Sequence, residues 1–242
     1  MRKAAALLRR DLRGIYRDGF LVMMSLYSLG LAAVTRLLVR WIPIEHIELY
    51  VAPFIPVTAS ALIGLVFGFA LIEERESKTW LLMRVVPVSQ ATLTAYWIVA
   101  VSGFCVGVSL VSAAIYGLAP AAWGGFLLLT VATSVGAPLV MLLLGALATN
   151  KIEGMAVGKI ISSSMLLLIG IFVLPVQWHI ALVWYPGYWI YLGLLRAYAG
   201  PDIAASLAVH WPSVPTWGYA TIPLVLSALA ITVLVRRYRR VI

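Results

Sequence analysis

Between Ala91 and Thr149 the chain carries no Asp, Glu, Lys or Arg. A stretch this long without charge cannot be the surface of a domain dissolved in water. It has room for two helices of about 20 residues each, the length that crosses the hydrocarbon core of a bilayer. The rest of the chain follows suit: 63% of its residues are hydrophobic and 11% charged. A soluble domain has about 45–50% and 25%. Lipid is therefore the main solvent.

Apolar runs predict an all-α integral membrane protein, one transmembrane domain over residues 1–242, with about six spans. They fall at roughly Phe20–Trp41, Pro53–Ile72, Ala91–Leu118, Gly124–Thr149, Ile160–Leu174 and Trp217–Val235. Residues 1–18 mix Leu and Ala with Arg at helical spacing. They contain no continuous apolar core of signal-peptide type. They read as an amphipathic helix lying in the membrane interface, with a solvated tail as the alternative. Residues 176–215 hold many Trp and Tyr among Pro and Gly. Aromatic side chains gather at membrane–water interfaces. The run Tyr188–Tyr198 is too short to cross, so the segment reads as an outer loop with a re-entrant or interfacial helix between spans five and six. A seventh span over Ile180–Leu195 would have Pro186-Gly187 in its middle.

Charge sets the expected orientation. With both termini and the polar stretches Glu73–Gln90 and Asn150–Lys159 inside, only Arg36, Arg40 and Arg196 of the 18 basic residues lie outside. This is the positive-inside bias. It also directs the net charge of +9 toward lipid headgroups, not nucleic acid. Arg36 and Arg40, near the outer end of the first span, are expected to snorkel, with Glu45 and Glu48 as possible partners.

Little in the sequence suggests chemistry. A single cysteine, Cys105, excludes an internal disulfide and reads as a small buried hydrophobe. His46, His179 and His210 have unrelated spacing, and Glu45-His46-Ile47-Glu48 lacks a second His at metal spacing. Gly154-Met155-Ala156-Val157-Gly158-Lys159 is not a phosphate loop: that motif needs four residues between its glycines and Ser or Thr after the Lys. Gly64-x-x-x-Gly68 and Gly103-x-x-x-Gly107 are close-packing motifs, read first as packing within the chain and second as subunit contacts.

The segment Glu73–Ser89 says more. Acidic residues open it, Trp80, Leu81, Leu82 and Val85 give it an apolar side, and Pro87 closes it. It reads as a short helix on the membrane surface. A docking element for a soluble partner and a partnerless interfacial helix fit this pattern equally well.

Glu73-Glu74-Arg75-Glu76, Thr79-Trp80-Leu81-Leu82 and Pro87-Val88-Ser89, set between spans two and three, resemble the cytoplasmic loop of ABC-2-type transporter permeases. The family pattern has Gly before the Thr, where this chain has Lys78. Asn150–Lys159 is similar to the matching loop of a subgroup that includes fluoroquinolone export permeases. The overall layout extends the resemblance over essentially the whole chain.

The resemblance implies the permease subunit of an ATP-driven exporter in the cell (plasma or inner) membrane. It would move a small amphipathic molecule or lipid out of the cytoplasm. No cofactor would sit in this chain: ATP and Mg would be held by a separate ATP-binding cassette subunit. The other implied partners are a second permease, identical or related, and membrane lipids. The implied coupling residues are Glu73, Glu74, Glu76, Thr79, Trp80 and Pro87, with Glu153 as a second contact, the acidic ones pairing with bases on the ATPase. The substrate path would follow the permease dimer interface along the second and fifth spans. Two other classes remain: a non-transporting assembly or sensory subunit, and a membrane-embedded lipid-modifying enzyme. The nearly uncharged span interiors weigh against the enzyme.

Overall fold

The computed structural model describes residues 19–77, 90–117, 119–173, 175–206, 214–215 and 217–241. The expected interfacial helix at 1–18 and residues 78–89 of the expected coupling segment lie outside the described residues. All regular elements within them are helical: α1 (Gly19–Val39), α2 (Ile47–Val51), α3 (Phe54–Glu76), α4 (Gln90–Tyr116), α5 (Trp123–Ser134), α6 (Gly136–Leu147), α7 (Lys151–Ser164), α8 (Gly170–Val173), α9 (Pro186–Ser206) and α10 (Gly218–Val241), with 3-10 turns at Met165–Leu168 and Val176–Ala181.

Among the described residues, four stretches are long and apolar enough to cross a membrane: Ile47–Glu76, Thr92–Tyr116, Trp123–Leu147 and Gly218–Arg236. They match the second, third, fourth and last expected spans. The first expected span is α1, a helix of 21 residues from Gly19 to Val39. The fifth differs more. Its expected start, Ile160, lies inside α7, and the helix begins nine residues earlier, at Lys151. The supposed polar loop Asn150–Lys159 is therefore helix. Beyond Ser164 the run tightens into a 3-10 turn and then α8, so the apolar half is the irregular one.

The bundle is organised around α3, which lies along α6 and also touches α1, α4 and α7. Its 23 residues span about 34 Å at 1.5 Å per residue, enough for a hydrocarbon core of about 30 Å. Two glycines let α6 approach. A Cβ on Gly64 would meet Ala137 O at 2.5 Å, and one on Gly68 would meet Leu144 Cβ at 2.9 Å. This small-xxx-small motif packs within the chain. Gly103 and Gly107 on α4 have nothing within 4 Å of where a Cβ would sit, so that motif faces outward.

The expected fourth span is two helices meeting at Val135. Pro138, in the first turn of α6, has no N–H to donate back across the junction. A hydroxyl from α3 reaches the same junction: Ser60 Oγ donates to Thr133 O at 2.9 Å. Gly136 leaves room for it, since a Cβ there would lie 2.8 Å from Ser60 Oγ. Thr130 and Thr133 donate to carbonyls four residues back in α5, so these buried hydroxyls are satisfied without water. Cys105 is fully buried, 3.9 Å from Ser109 Oγ.

The segment expected to be a short re-entrant or interfacial helix is α9, which runs from Pro186 to Ser206 and is buried against α5 and α10. Pro186 does not interrupt it. Pro fits the first position of a helix, where no N–H is needed. The interruption comes at Gly200, where φ of 72° kinks the helix just before Pro201.

Candidate functional site

The polar end of the bundle holds most of the side chains singled out by sequence. Glu73, Glu74 and Glu76 do not open a new helix, as the acidic cluster suggested; they close α3, which continues to Glu76. Carboxylates at a helix C-terminus oppose the dipole of their own helix. What offsets this is α7, whose N-terminus lies alongside. Lys151 N–H donates to Glu76 Oε1 at 2.9 Å, and Lys151 Nζ lies 3.4 Å from Glu73 Oε2. Glu74 is part-buried on the same turn.

Arg75 points the other way round the turn. Its Nη1 donates to Ala148 O at 3.0 Å and its Nη2 to Gly145 O at 2.7 Å. Both carbonyls belong to the last turn of α6 or its cap and lack helical partners of their own. A guanidinium presents several N–H donors in a planar fork, which suits two acceptors at once.

Glu153, the expected second ATPase contact, sits in the first turn of α7. Its N–H donates to Asn150 Oδ1 at 2.9 Å, and its carboxylate accepts from Thr149 N–H at 2.7 Å and Thr149 Oγ1 at 2.8 Å. Asn150 is the N-cap of α7, and Glu153 reaches back past it to Thr149, a variant of the capping box. The Thr149 backbone N–H, then the Thr149 hydroxyl and Asn150 amide, hold the Glu153 carboxyl below the usual carboxylate range.

The structure thus brings Glu73, Glu76 and Glu153 to one elbow between α6 and α7. Thr79, Trp80 and Pro87 lie outside the described residues. Sequence reading missed Arg75, Thr149, Asn150 and Lys151 as members of this cluster. Asn150-x-x-Glu153 was a visible helix-start signal; the reach of Arg75 to α6, some 70 residues on, left no local trace.

At the opposite end, Arg36 Nη1 donates to Ile115 O at 2.9 Å in the last turn of α4, so a helix terminus, not a carboxylate, receives it. Glu45 lies 3.6 Å from His46. Among the described residues, no group of three His, Cys, Asp or Glu comes together in a way that could hold a metal ion.

A family profile described as fluoroquinolones export permease protein Rv2686c-like matches residues 11–235. The chain belongs to this family. The match takes in the whole polar cluster at the elbow. The chain is 25% identical over 206 residues to the fluoroquinolones export permease protein Rv2686c of Mycobacterium tuberculosis strain ATCC 25618 / H37Rv, covering 78% of this chain and 80% of that protein. Protein MT2760 of strain CDC 1551 / Oshkosh, with the same description, matches to the same extent. No solved structure matches the chain. Membership of an export permease family, with four stretches among the described residues able to cross a membrane, makes this a membrane protein of transporter type rather than an enzyme.

Proposed function

We propose that this chain is the membrane subunit of an ATP-driven exporter, moving a small amphipathic molecule out of the cytoplasm while a separate subunit hydrolyses ATP. The observation that carries the reading is family membership across residues 11–235. The relatives' printed names make a fluoroquinolone the first substrate to test. On this reading α1 and the run 154–173 complete six crossings, with Lys151 and Glu153 at the polar end. The polar end faces the cytoplasm, as the distribution of basic residues favours. Two permeases, identical or related, pair in the membrane. The end of α3 leads into residues 78–89, the segment that resembles an ATPase-docking helix, and Glu73, Glu74, Glu76, Thr79, Trp80 and Pro87, with Glu153 as a second contact, are the residues proposed to meet the ATPase.

The test has two parts. The tagged chain is purified from its native membrane in mild detergent, and bound proteins are identified and assayed for ATPase activity. Cells with and without the chain are then compared for fluoroquinolone accumulation. A stoichiometric ATPase that detaches when residues 78–89 are altered, with drug accumulation rising when the chain is deleted, supports the reading. A chain that purifies alone in several detergents and leaves accumulation unchanged overturns it.

A further inference from the structure

An α-helix leaves its last carbonyls unpaired, with partial negative charge, and its first amides unpaired, with partial positive charge. The elbow between α6 and α7 sets one such end of each kind side by side. The last turn of α3 meets both with the matching charge. Arg75 spans Gly145 O and Ala148 O at 2.7 and 3.0 Å, placing a cation on the C-terminus of α6. Glu76, the next residue, accepts Lys151 N–H at 2.9 Å, placing an anion on the N-terminus of α7. Both contacts go to backbone atoms, so they position the helices themselves.

Packing just behind these contacts leaves the elbow no slack. A Cβ on Gly154 would lie 2.8 Å from Ile72 Cδ1 and 3.0 Å from Phe69 Cε1, so α7 runs directly against α3. Within the elbow, Asn150 and Glu153 cap the start of α7, so the short link is itself ordered.

We propose that Arg75 and Glu76 form a clamp that locks the end of α3 and the α6–α7 elbow into one rigid unit, so that a displacement applied to the chain beyond Ser77 is delivered to α7. Arg75 is then a positioning residue, acting through the helix it holds. The clamp is a property of this chain alone, and its test does not depend on whether an ATPase binds.

The experiment uses the full chain in lipid nanodiscs, with Cys105 replaced by Ser and spin labels on cysteines introduced at the exposed positions Ser77 and Ile152. A second labelled pair, at the exposed positions Val99 and Val131, reports on general loosening. Arg75→Ala and Glu76→Ala should each broaden the distance distribution of the first pair and leave the second unchanged. Loss of a charge-assisted bond should speed hydrogen exchange of the Lys151 amide by about tenfold or more in Glu76→Ala. Glu76→Gln keeps an acceptor oxygen and should restore the narrow distribution. Glu76 is exposed, so its variants keep the test open if Arg75→Ala does not fold. An unchanged Ser77–Ile152 distribution in both alanine variants would overturn the clamp. So would equal broadening of the two pairs, or a Glu76→Gln variant as loose as Glu76→Ala.

Discussion

At the Phe54 end of α3, rings and hydroxyls close the bundle. Tyr191 packs edge-on against Phe54 and Phe172, with centroids 4.8 and 5.7 Å away, and its hydroxyl donates to Tyr50 O. Tyr116 donates to Glu48 O at 2.9 Å, and a backbone bond from Ala122 N–H to Ala197 O ties α9 to the start of α5. At the Glu76 end, charges do the closing, and most of them are exposed. Both ends use an arginine on helix carbonyls, Arg36 on Ile115 O and Arg75 on Gly145 O and Ala148 O, but only the second lies on the same turn as the exposed Glu73 and Glu76. Buried apolar area holds at any ionic strength; exposed ion pairs are weak and screened by salt. The contrast separates an end whose closure is indifferent to salt from one whose exposed side-chain pair is salt-sensitive even though its backbone contacts hold it in place, and the second is the end that leads into residues 78–89.

Substitutions at the two ends should therefore differ in size and in sensitivity to solution conditions. The largest effect is expected for Tyr191→Ala, where a fully buried ring is removed. It should cost about 3–5 kcal/mol in thermal unfolding in detergent, with no dependence on salt. Tyr191→Phe, which loses only the hydroxyl, should cost about 1 kcal/mol. A Tyr191→Ala protein as stable as the parent would end the distinction between the ends. Next comes Gly117→Ala. Its φ of 77° is unfavourable for other residues, and a Cβ there would press on the Arg36 guanidinium. About 1–2 kcal/mol is expected, together with faster exchange of the last amides of α4.

The polar end should give smaller and condition-dependent changes. Asn150→Ala removes the side-chain cap of α7 and should cost about 1 kcal/mol, read as local exchange at Glu153 before any fall in melting temperature. Acid should act on the same turn. Because Glu153 is held below the ordinary carboxylate range, its stabilising contribution is complete above its unfolded pKa. That contribution is lost as pH falls through the lower folded value. The protection factor of the Thr149 amide should fall over that acidic window in the parent and stay flat in Glu153→Gln. Smallest of all is Lys151→Ala. The pair with Glu73 is about half exposed on both sides, so less than about 1 kcal/mol is expected, vanishing in high salt. The backbone N–H given to Glu76 survives this change. A large loss in Lys151→Ala would mean that the side-chain pair, and not the clamp on backbone atoms, holds the elbow.

Apolar run length made α3, α4, the pair α5 and α6, and α10 legible in the sequence, because the bilayer imposes one dimension on every crossing helix. Three features were not. The glycines and charges of Asn150–Lys159 looked like a loop, but Gly154 and Gly158 are the buried face of α7, where smallness serves packing and outweighs helix propensity. Pro186-Gly187 looked like a breaker because its position within the helix was unknown; at the start, Pro is favourable. The acidic run from Glu73 looked like a helix beginning because its compensating partner, the N-terminus of α7, lies some 75 residues further along. Of the candidate site, the acidic residues could be picked out locally, whereas Arg75 could not: its partners are main-chain carbonyls, which carry no residue identity to read.

The bond from Ser60 to the broken turn at Thr133 has a consequence for how the protein is made. A helix interrupted at mid-depth exposes a carbonyl to hydrocarbon, where no water can meet it. Translation delivers α3 well before α5 and α6, so the hydroxyl that Thr133 needs is already in the bilayer when the interrupted segment leaves the ribosome. Chain order thus supplies the donor ahead of its acceptor, and the fourth crossing can be inserted already bent, against a template made earlier.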